Sequence, residues 1–154
     1  MSDKPFQDYW KHNKCFGCGH NEHGLQIKSY WEGDKSICIW EPRHYHAAGP
    51  EGVLYGGIIS SVIDCHTVCL AIAKEYEAEG RGLDSLPIIW CVTASLKVDY
   101  LKPTPIHKPI RLEASIVKKE GRKIWIDCDV FSDDIKTATG EVLALRVNAG
   151  DWYE

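Results

Sequence analysis

The sequence predicts an α+β fold in which a curved antiparallel sheet of about six strands wraps around one long buried helix. The stretch after Gly56-Gly57 is apolar on most of a helical circumference, so the helix that it forms needs a surface that covers it. Extended runs precede and follow this stretch, and short turns join the later runs. A chain of 154 residues is long enough for one domain with its own core and too short for two ordinary ones.

Two strands are predicted before the helix. Leu25–Trp31 and Ser36–Trp40 are extended runs, and the turn signal Gly33-Asp34 between them indicates a hairpin. Residues 1–24 are rich in His, Gly, Asn and Lys, and we predict an irregular segment there. Residues 25–150 then form the single domain.

The helix is predicted to begin after Gly56-Gly57, to reach solvent at Lys74–Glu77 and to stop near Gly80–Gly82. In the strand that follows it, alternation places Leu96 and Ser95 on opposite faces. Four strands are predicted after the helix, over Ile88–Leu101, Ile110–Lys118, Lys123–Phe131 and Lys136–Val147.

Charge and hydropathy argue against two classes of partner. Lys and Arg total 18 against 22 for Asp and Glu, a net charge of -4 that does not suit a binder of phosphate backbones, so we expect no nucleic acid partner. No run approaches the roughly 20 apolar residues that span a bilayer, and the N-terminus lacks the apolar core of a signal peptide. We therefore expect a cytoplasmic protein with no membrane partner.

The chain has seven cysteines, which we interpret as free thiols or ligands rather than disulfides because an export signal is missing and the count is odd. Five of them have the pattern of small buried hydrophobic residues. These are Cys38, Cys91 and Cys128 in apolar or alternating runs, and Cys65 and Cys69 at i, i+4 spacing in the helix.

The remaining two cysteines form one C-x-x-C motif, Cys15 and Cys18, with His20 and His23 close behind. Two thiolates and one or two imidazoles are a possible ligand set for a structural zinc ion. Strong zinc sites bring a second ligand pair from further along the chain, and no second C-x-x-C exists, so we predict no metal site. A thioredoxin-like role fits worse, because the pair does not follow a strand and open a helix.

Four stretches together resemble the hot-dog fold acyl-CoA thioesterases, in particular their PaaI-like branch. The resemblance covers roughly residues 15–148 and implies hydrolysis of acyl-CoA to the free acid and CoA. It implies no cofactor, since CoA is part of the substrate, and a homodimer or a dimer of dimers. The stretches are Cys15–Gly19 with Gly24-Leu25, Gly52–Asp64, Thr93–Pro103 and Gly121–Lys123.

Asp64 is the first candidate catalytic residue. It lies between Ile63 and Cys65 on a helix predicted to be buried, where an unpaired carboxylate is costly, and such carboxylates mark functional sites. The resemblance implies that Asp64 is the nucleophile or the general base. The alternative is a carboxylate that pairs with a lysine or reaches a water-filled crevice.

Gly56 and Gly57 are the candidate oxyanion donors. The first N–H groups of a helix have no intrahelical acceptor, and glycine lets a ligand approach them. The alternative is that the pair only permits a sharp turn into the helix. The resemblance implies that Asp64 of one chain faces Gly56 or Gly57 of its partner. A dimer also covers an exposed sheet edge.

The chain departs from the family pattern at two places. Tyr55 stands where the family usually has His, and Ala48 and Gly49 stand where it has Asn or Gln. Tyr55 can still donate a hydrogen bond, and His44 or His46 of the same loop can substitute for the missing amide.

Three hydroxyl residues are supporting candidates. Thr67 follows Asp64 by nearly one helical turn, so its hydroxyl can share the pocket; the alternative is that it bonds back to its own helix. Thr93 and Ser95 lie on the strand expected to pass near the helix.

The candidate residues for binding the phosphates of CoA are Arg122 and Lys123, preceded by Lys118 and Lys119, because exposed Arg and Lys bind phosphate. A solvated hairpin tip has the same composition.

Two rival functions remain open. One is a non-catalytic binder of acyl-CoA or another small molecule. The other is an acyl hydratase or dehydratase, which would need His66, a residue that points elsewhere on the helix.

Overall fold

A computed structural model describes residues 3–148 and Gly150. Its element order is the expected one, with two strands, one helix and four further strands. The bounds are β1 Tyr30–Glu32, β2 Lys35–Trp40, α1 Gly56–Ala78, β3 Trp90–Tyr100, β4 Ile110–Glu120, β5 Lys123–Ser132 and β6 Ile135–Val147, with short 3₁₀ helices at Phe6–Tyr9 and His44–His46.

The six strands form one antiparallel sheet in the order β1-β2-β4-β5-β6-β3. Helix α1 packs against β2 to β6, so the sheet wraps around it as predicted. Gly140 of β6 permits the close approach, because a Cβ there would come 2.5 Å from Cγ2 of Ile63 on α1. The hot-dog fold is confirmed.

The first strand is shorter than predicted. Residues 25–29 leave the sheet because Gln26 adopts a left-handed backbone with φ of 52°. The backbone N–H groups of Leu25 and Ile27 donate instead to the carbonyls of Phe16 and Gly17. The segment expected to start the sheet therefore holds the C-x-x-C loop in place.

The N-terminal segment packs into the same hydrophobic core as the sheet and the helix. Phe6 and Trp10 are buried there, and the indole N–H of Trp10 donates to the carbonyl of Leu83 at 3.0 Å. The backbone N–H of Phe6 donates to the carbonyl of Ser29 at 2.9 Å. The segment therefore forms one wall of the space beside the helix.

The C-terminal end of α1 reaches solvent at Glu77, as predicted, but two residues of the charged run, Glu75 and Tyr76, are buried. Glu75 and Tyr76 are 3% and 1% exposed. The carboxylate of Glu75 is buried with two cations, Lys119 and Arg146, and the hydroxyl of Tyr76 accepts a hydrogen bond from the backbone N–H of Ile89 at 3.0 Å. A charged residue can be buried here because its charge is paired.

By length and composition alone, α1 is apolar enough to cross a membrane, contrary to the expectation that no stretch approaches that length. The core helix of a soluble protein meets the same criterion, and here the sheet packs along α1.

Candidate functional site

A cavity of about 220 Å³ lies between α1, the start of β3 and the N-terminal segment. Its walls are mostly apolar and aromatic, and among the described residues that line it one carries a carboxylate. Such a space suits an apolar group that ends in a polar reacting centre. The lining side chains include Trp10, Asp64, Val68, Ile72, Trp90 and Thr93.

The carboxylate in this cavity is that of Asp64, which is half-buried. Its Oδ1 accepts a short hydrogen bond from the hydroxyl of Thr93. Among residues 3–148, no Lys, Arg or His forms an ion pair with it. The acid therefore faces a cleft without a counter-charge, which leaves it free to act on a bound molecule.

A β-bulge in β3 aims Thr93 at this carboxylate. Thr93 pairs with Ala144 and Ser95 pairs with Leu143, which leaves Ala94 as the extra residue. Directly paired residues share a sheet face, so the bulge places Thr93 on the helix side and Ser95 on the other side. Ser95 is thus not brought to the cavity as its candidate role requires, whereas Thr93 is.

The start of α1 presents free backbone donors. Gly56 and Gly57 are its first two residues, and within the described chain their N–H groups have no backbone or side-chain acceptor. The ring of Tyr55 lies over Gly57, since a Cβ there would come 2.5 Å from Cε1 of Tyr55. The hydroxyl of Tyr100 donates to the carbonyl of Gly56 at 2.8 Å and fixes this turn.

One chain does not bring these donors to Asp64. Gly57 and Asp64 are seven residues apart on a straight helix, which separates them by about 10 Å along its axis at about 1.5 Å per residue. A carboxylate that attacks a carbonyl held by Gly57 must come within about 3 Å of it. Within one chain, the glycine donors and the carboxylate are therefore too far apart to act on the same carbonyl.

The two polar residues that follow Asp64 on the helix face away from the cavity. The buried hydroxyl of Thr67 donates to the carbonyls of Ile63 and Asp64, at 2.9 and 3.0 Å, so it bonds back to its own helix. His66 is fully buried between Ser29 and Ser36, and burial lowers the pKa of His66 to about 4. The expectation that His66 points elsewhere is confirmed.

The loop histidines lie near the start of α1. His46 lines a second cavity of about 750 Å³, together with Trp40 and Ile58. Its Nδ1 accepts the backbone N–H of Arg43 at 2.9 Å, and its ring lies 5.1 Å from that of Trp40. Burial lowers the pKa of His46 below its ordinary value, and the positive charge of Arg43 lowers it further. His44 is exposed.

Arg122 and Lys123 lie at the exposed β4–β5 turn and form no ion pair within the described residues. The carbonyl of Arg122 accepts a hydrogen bond from the backbone N–H of Arg146. The guanidinium of Arg146 binds the carboxylate of Glu75, near the end of α1. Glu75, to which these contacts lead, lies about 16 Å from Asp64 along the helix axis.

The two cysteine pairs meet beside Asp64. The sulfur of Cys15 is 3.7 Å from that of Cys65, and the sulfur of Cys69 is 3.7 Å from that of Cys18. Hydrogen bonds from Cys15, then Cys65 and Cys69, hold the pKa of the Cys18 thiol far below its ordinary value. The interpretation of Cys65 and Cys69 as simple core residues missed this contact.

The histidines expected to accompany the C-x-x-C motif do not join it. His20 and His23 are exposed, and His23 lies 3.4 Å from the carboxylate of Glu22. The i, i+4 spacing of two helical cysteines was the only sequence signal for the second pair.

Comparison with known proteins identifies relatives. The model of the Thioesterase superfamily matches residues 51–139. The chain is 31% identical over 113 residues to the acyl-coenzyme A thioesterase THEM4 of Xenopus laevis, which is 73% of this chain and 45% of that protein. It is 33% identical over 102 residues to THEM4 of Mus musculus, which is 66% of this chain and 38% of that protein. The chain thus spans less than half the length of these curated relatives.

Among solved structures, a Thioesterase superfamily protein from Shewanella loihica is 32% identical with a TM-score of 0.66. That match covers 89% of this chain and 96% of the Shewanella chain.

Proposed function

Because the chain belongs to the thioesterase superfamily, we propose that it hydrolyses acyl-CoA thioesters to the free acid and CoA. The carboxylate of Asp64 attacks the thioester carbonyl or activates a water for the attack. The N–H groups of Gly56 and Gly57 from a second copy of the chain bind the oxyanion that forms. Thr93 holds the carboxylate in position, and Tyr55 covers the glycine turn.

The proposal depends on one observation above all. Asp64 opens into an apolar cavity with a hydroxyl donor beside it, and no cation of the described residues forms an ion pair with it. A carboxylate that only stabilised the fold would be expected in an ion pair, as the buried Glu75 is. A carboxylate held ready in a cleft is what nucleophilic or general-base catalysis needs.

The second copy is proposed to dock along β3, because this strand is a free edge of the sheet. Its residues 93–97 are exposed, as are the large side chains of Leu96 and Tyr100. Pairing two such edges satisfies the free backbone groups and buries these side chains. We therefore propose a homodimer, or a dimer of dimers, with two shared sites.

The coenzyme is proposed to extend toward the β4–β5 turn. Arg122 and Lys123 are unpaired cations there within the described chain, and an extended arm separates the phosphates of CoA from its thioester. The acyl group occupies the cavity among Trp10, Ile72 and Trp90. The size of this cavity favours a short acyl chain or an aromatic one.

The test is release of free thiol from a panel of short, long and aromatic acyl-CoAs. Asp64→Asn is expected to lower kcat by about 10³-fold or more, because it removes the nucleophile or base and keeps the shape. Asp127→Asn is the matched control, since Asp127 is an exposed aspartate on β5. The control is expected to keep the wild-type rate.

The departures at Tyr55, Ala48 and Gly49 favour one alternative, a protein that binds acyl-CoA without turning it over. Calorimetric titration of the same panel distinguishes the two functions. Tight binding by wild type with no thiol release for any substrate would establish the binder and contradict the hydrolase.

A further inference from the structure

Four cysteines from two distant parts of the chain form one group, which we name the cysteine cluster. Cys15 and Cys18 come from the N-terminal loop, and Cys65 and Cys69 are one turn apart on α1. Cys18 and Cys69 are buried, Cys65 is half-buried and Cys15 is exposed. All four are free thiols.

The sulfurs of Cys15, Cys18 and Cys65 are spaced for a single tetrahedral metal ion, and the sulfur of Cys69, which lies outside that group of three, contacts Cys18 as the fourth candidate ligand. A zinc–sulfur bond of about 2.3 Å places two thiolates of a tetrahedron about 3.8 Å apart. The contacts Cys15–Cys65 and Cys18–Cys69 are both 3.7 Å. The sulfurs of Cys15, Cys18 and Cys65 all lie within 4.8 Å of one another.

The loop also supplies hydrogen-bond donors aimed at sulfur. The backbone N–H of Gly17 donates to Sγ of Cys15 at 3.3 Å, and the side-chain amide of Asn13 donates to Sγ of Cys18 at 3.4 Å. Asn13 is buried, and its Oδ1 accepts the backbone N–H of Cys15 at 3.0 Å. Hydrogen-bond donors outside the set of metal ligands orient metal-binding thiolates and stabilise their charge.

Gly17 shows that the loop is shaped around these sulfurs. A Cβ at this position would overlap the sulfur of Cys65, so only glycine lets the loop approach α1 this closely. The loop is tied to the segment before β1 by the hydrogen bond that the backbone N–H of Ile27 donates to the carbonyl of Gly17 at 3.0 Å. The four sulfurs therefore meet because the backbone on both sides is fixed.

We propose that the cysteine cluster binds one zinc ion through four thiolates. Each thiol that coordinates the ion releases its proton to solvent, so Zn²⁺ with four thiolates carries a net charge of −2. All four coordination positions are filled by protein, so the ion holds structure and leaves no position for a substrate. It ties the N-terminal segment to α1 and fixes the wall of the cavity beside Asp64.

A zinc site differs from a disulfide switch in what it requires. A disulfide needs the two sulfurs about 2.05 Å apart and an oxidant to accept two electrons. The contacts of 3.7 Å instead match the edges of a filled tetrahedron. An iron–sulfur cluster needs its ligands further apart, because inorganic sulfide and several irons lie between them.

The test measures the metal content of the full chain, expressed without an affinity tag that binds metal and purified under reducing conditions. Mass spectrometry of the elements is expected to find about one zinc per chain, with iron and inorganic sulfide near zero. Cys15→Ala and Cys69→Ala are expected to lower the zinc content severalfold. Cys38→Ala and Cys128→Ala are the controls, because both cysteines are buried outside the cluster.

Two further measurements keep the proposal falsifiable if a cysteine variant fails to fold. Wild type stripped of metal and titrated with Co²⁺ is expected to develop the absorption of tetrahedral cobalt thiolate. Gly17→Ala keeps all four thiols, and it is expected to weaken binding by about tenfold or more because the loop must move away from Cys65. Wild type with less than about 0.1 zinc per chain and no cobalt thiolate spectrum would overturn the proposal. A Cys15–Cys65 disulfide in the freshly purified protein would also overturn it.

Discussion

Among single residues, Thr93 has the most direct effect on the candidate acid. Its hydroxyl donates to Asp64. Thr93→Val keeps the size of the side chain and removes this donor, so kcat is expected to fall about tenfold while KM changes less than about twofold. Thr93→Ser keeps a hydroxyl and is expected to retain most of the rate. Steady-state kinetics on both variants check this, and an unchanged kcat in Thr93→Val would contradict the assigned position.

His66 makes stability depend on pH. Burial lowers the pKa of His66 to about 4, whereas in the unfolded chain the pKa is about 6.5. The unfolded state binds the proton first, so the free energy of unfolding decreases as the pH falls from about 6.5 to 4, by roughly 3 kcal/mol. Urea unfolding of wild type and His66→Gln across this range measures the effect. Parallel curves for the two proteins would show that His66 does not cause it.

The sequence identified Asp64 because a carboxylate amid apolar helical residues is costly, and this reasoning needs no knowledge of the fold. Alternation along an unbroken strand predicts that Thr93 and Ser95 lie on the same face of β3. The bulge at Ala94 reverses the faces, and nothing in the sequence marks its position. Which hydroxyl faces the acid was therefore not predictable.

Among the elements, the helix and the four later strands were predictable to within a few residues because helix and strand periodicities differ, whereas β1 is much shorter than predicted. The C-terminal end of the helix was less predictable. The charged run at Lys74–Glu77 indicated solvent, yet Glu75 is buried between Lys119 of β4 and Arg146 of β6. A charge is buried when partners arrive from other strands, and local sequence does not show those partners.

Gly140 sets the distance between β6 and α1. A Cβ there would come 2.5 Å from Cγ2 of Ile63. Gly140→Ala is therefore expected to destabilise the chain by about 1–3 kcal/mol through overpacking. Ile63→Leu removes the branch at Cβ, so the double variant is expected to recover part of that loss. Denaturant unfolding of the two single variants and the double variant gives the coupling, and strictly additive losses would contradict this contact.

At the scale of the whole molecule, the proposed acid and the proposed oxyanion donors lie apart within one chain. Gly57 lies about 10 Å from Asp64 along α1. The cysteine cluster shows the same limit of local patterns, since Cys15 and Cys65 are fifty residues apart and meet only when the loop docks on the helix. Contacts between distant segments are the part of the site that spacing along the chain leaves undetermined.

A mixing experiment tests the central claim that each site is shared by two chains. Asp64→Asn removes the acid, and Gly56→Pro removes one N–H donor at the first helical position, which tolerates proline and follows the extended Tyr55. Each variant alone is expected to be nearly inactive. If the site is shared, an equimolar mixture formed by co-expression has one intact site in each mixed dimer, and about a quarter of the wild-type rate of thiol release returns. A mixture as inactive as its two components would contradict the account.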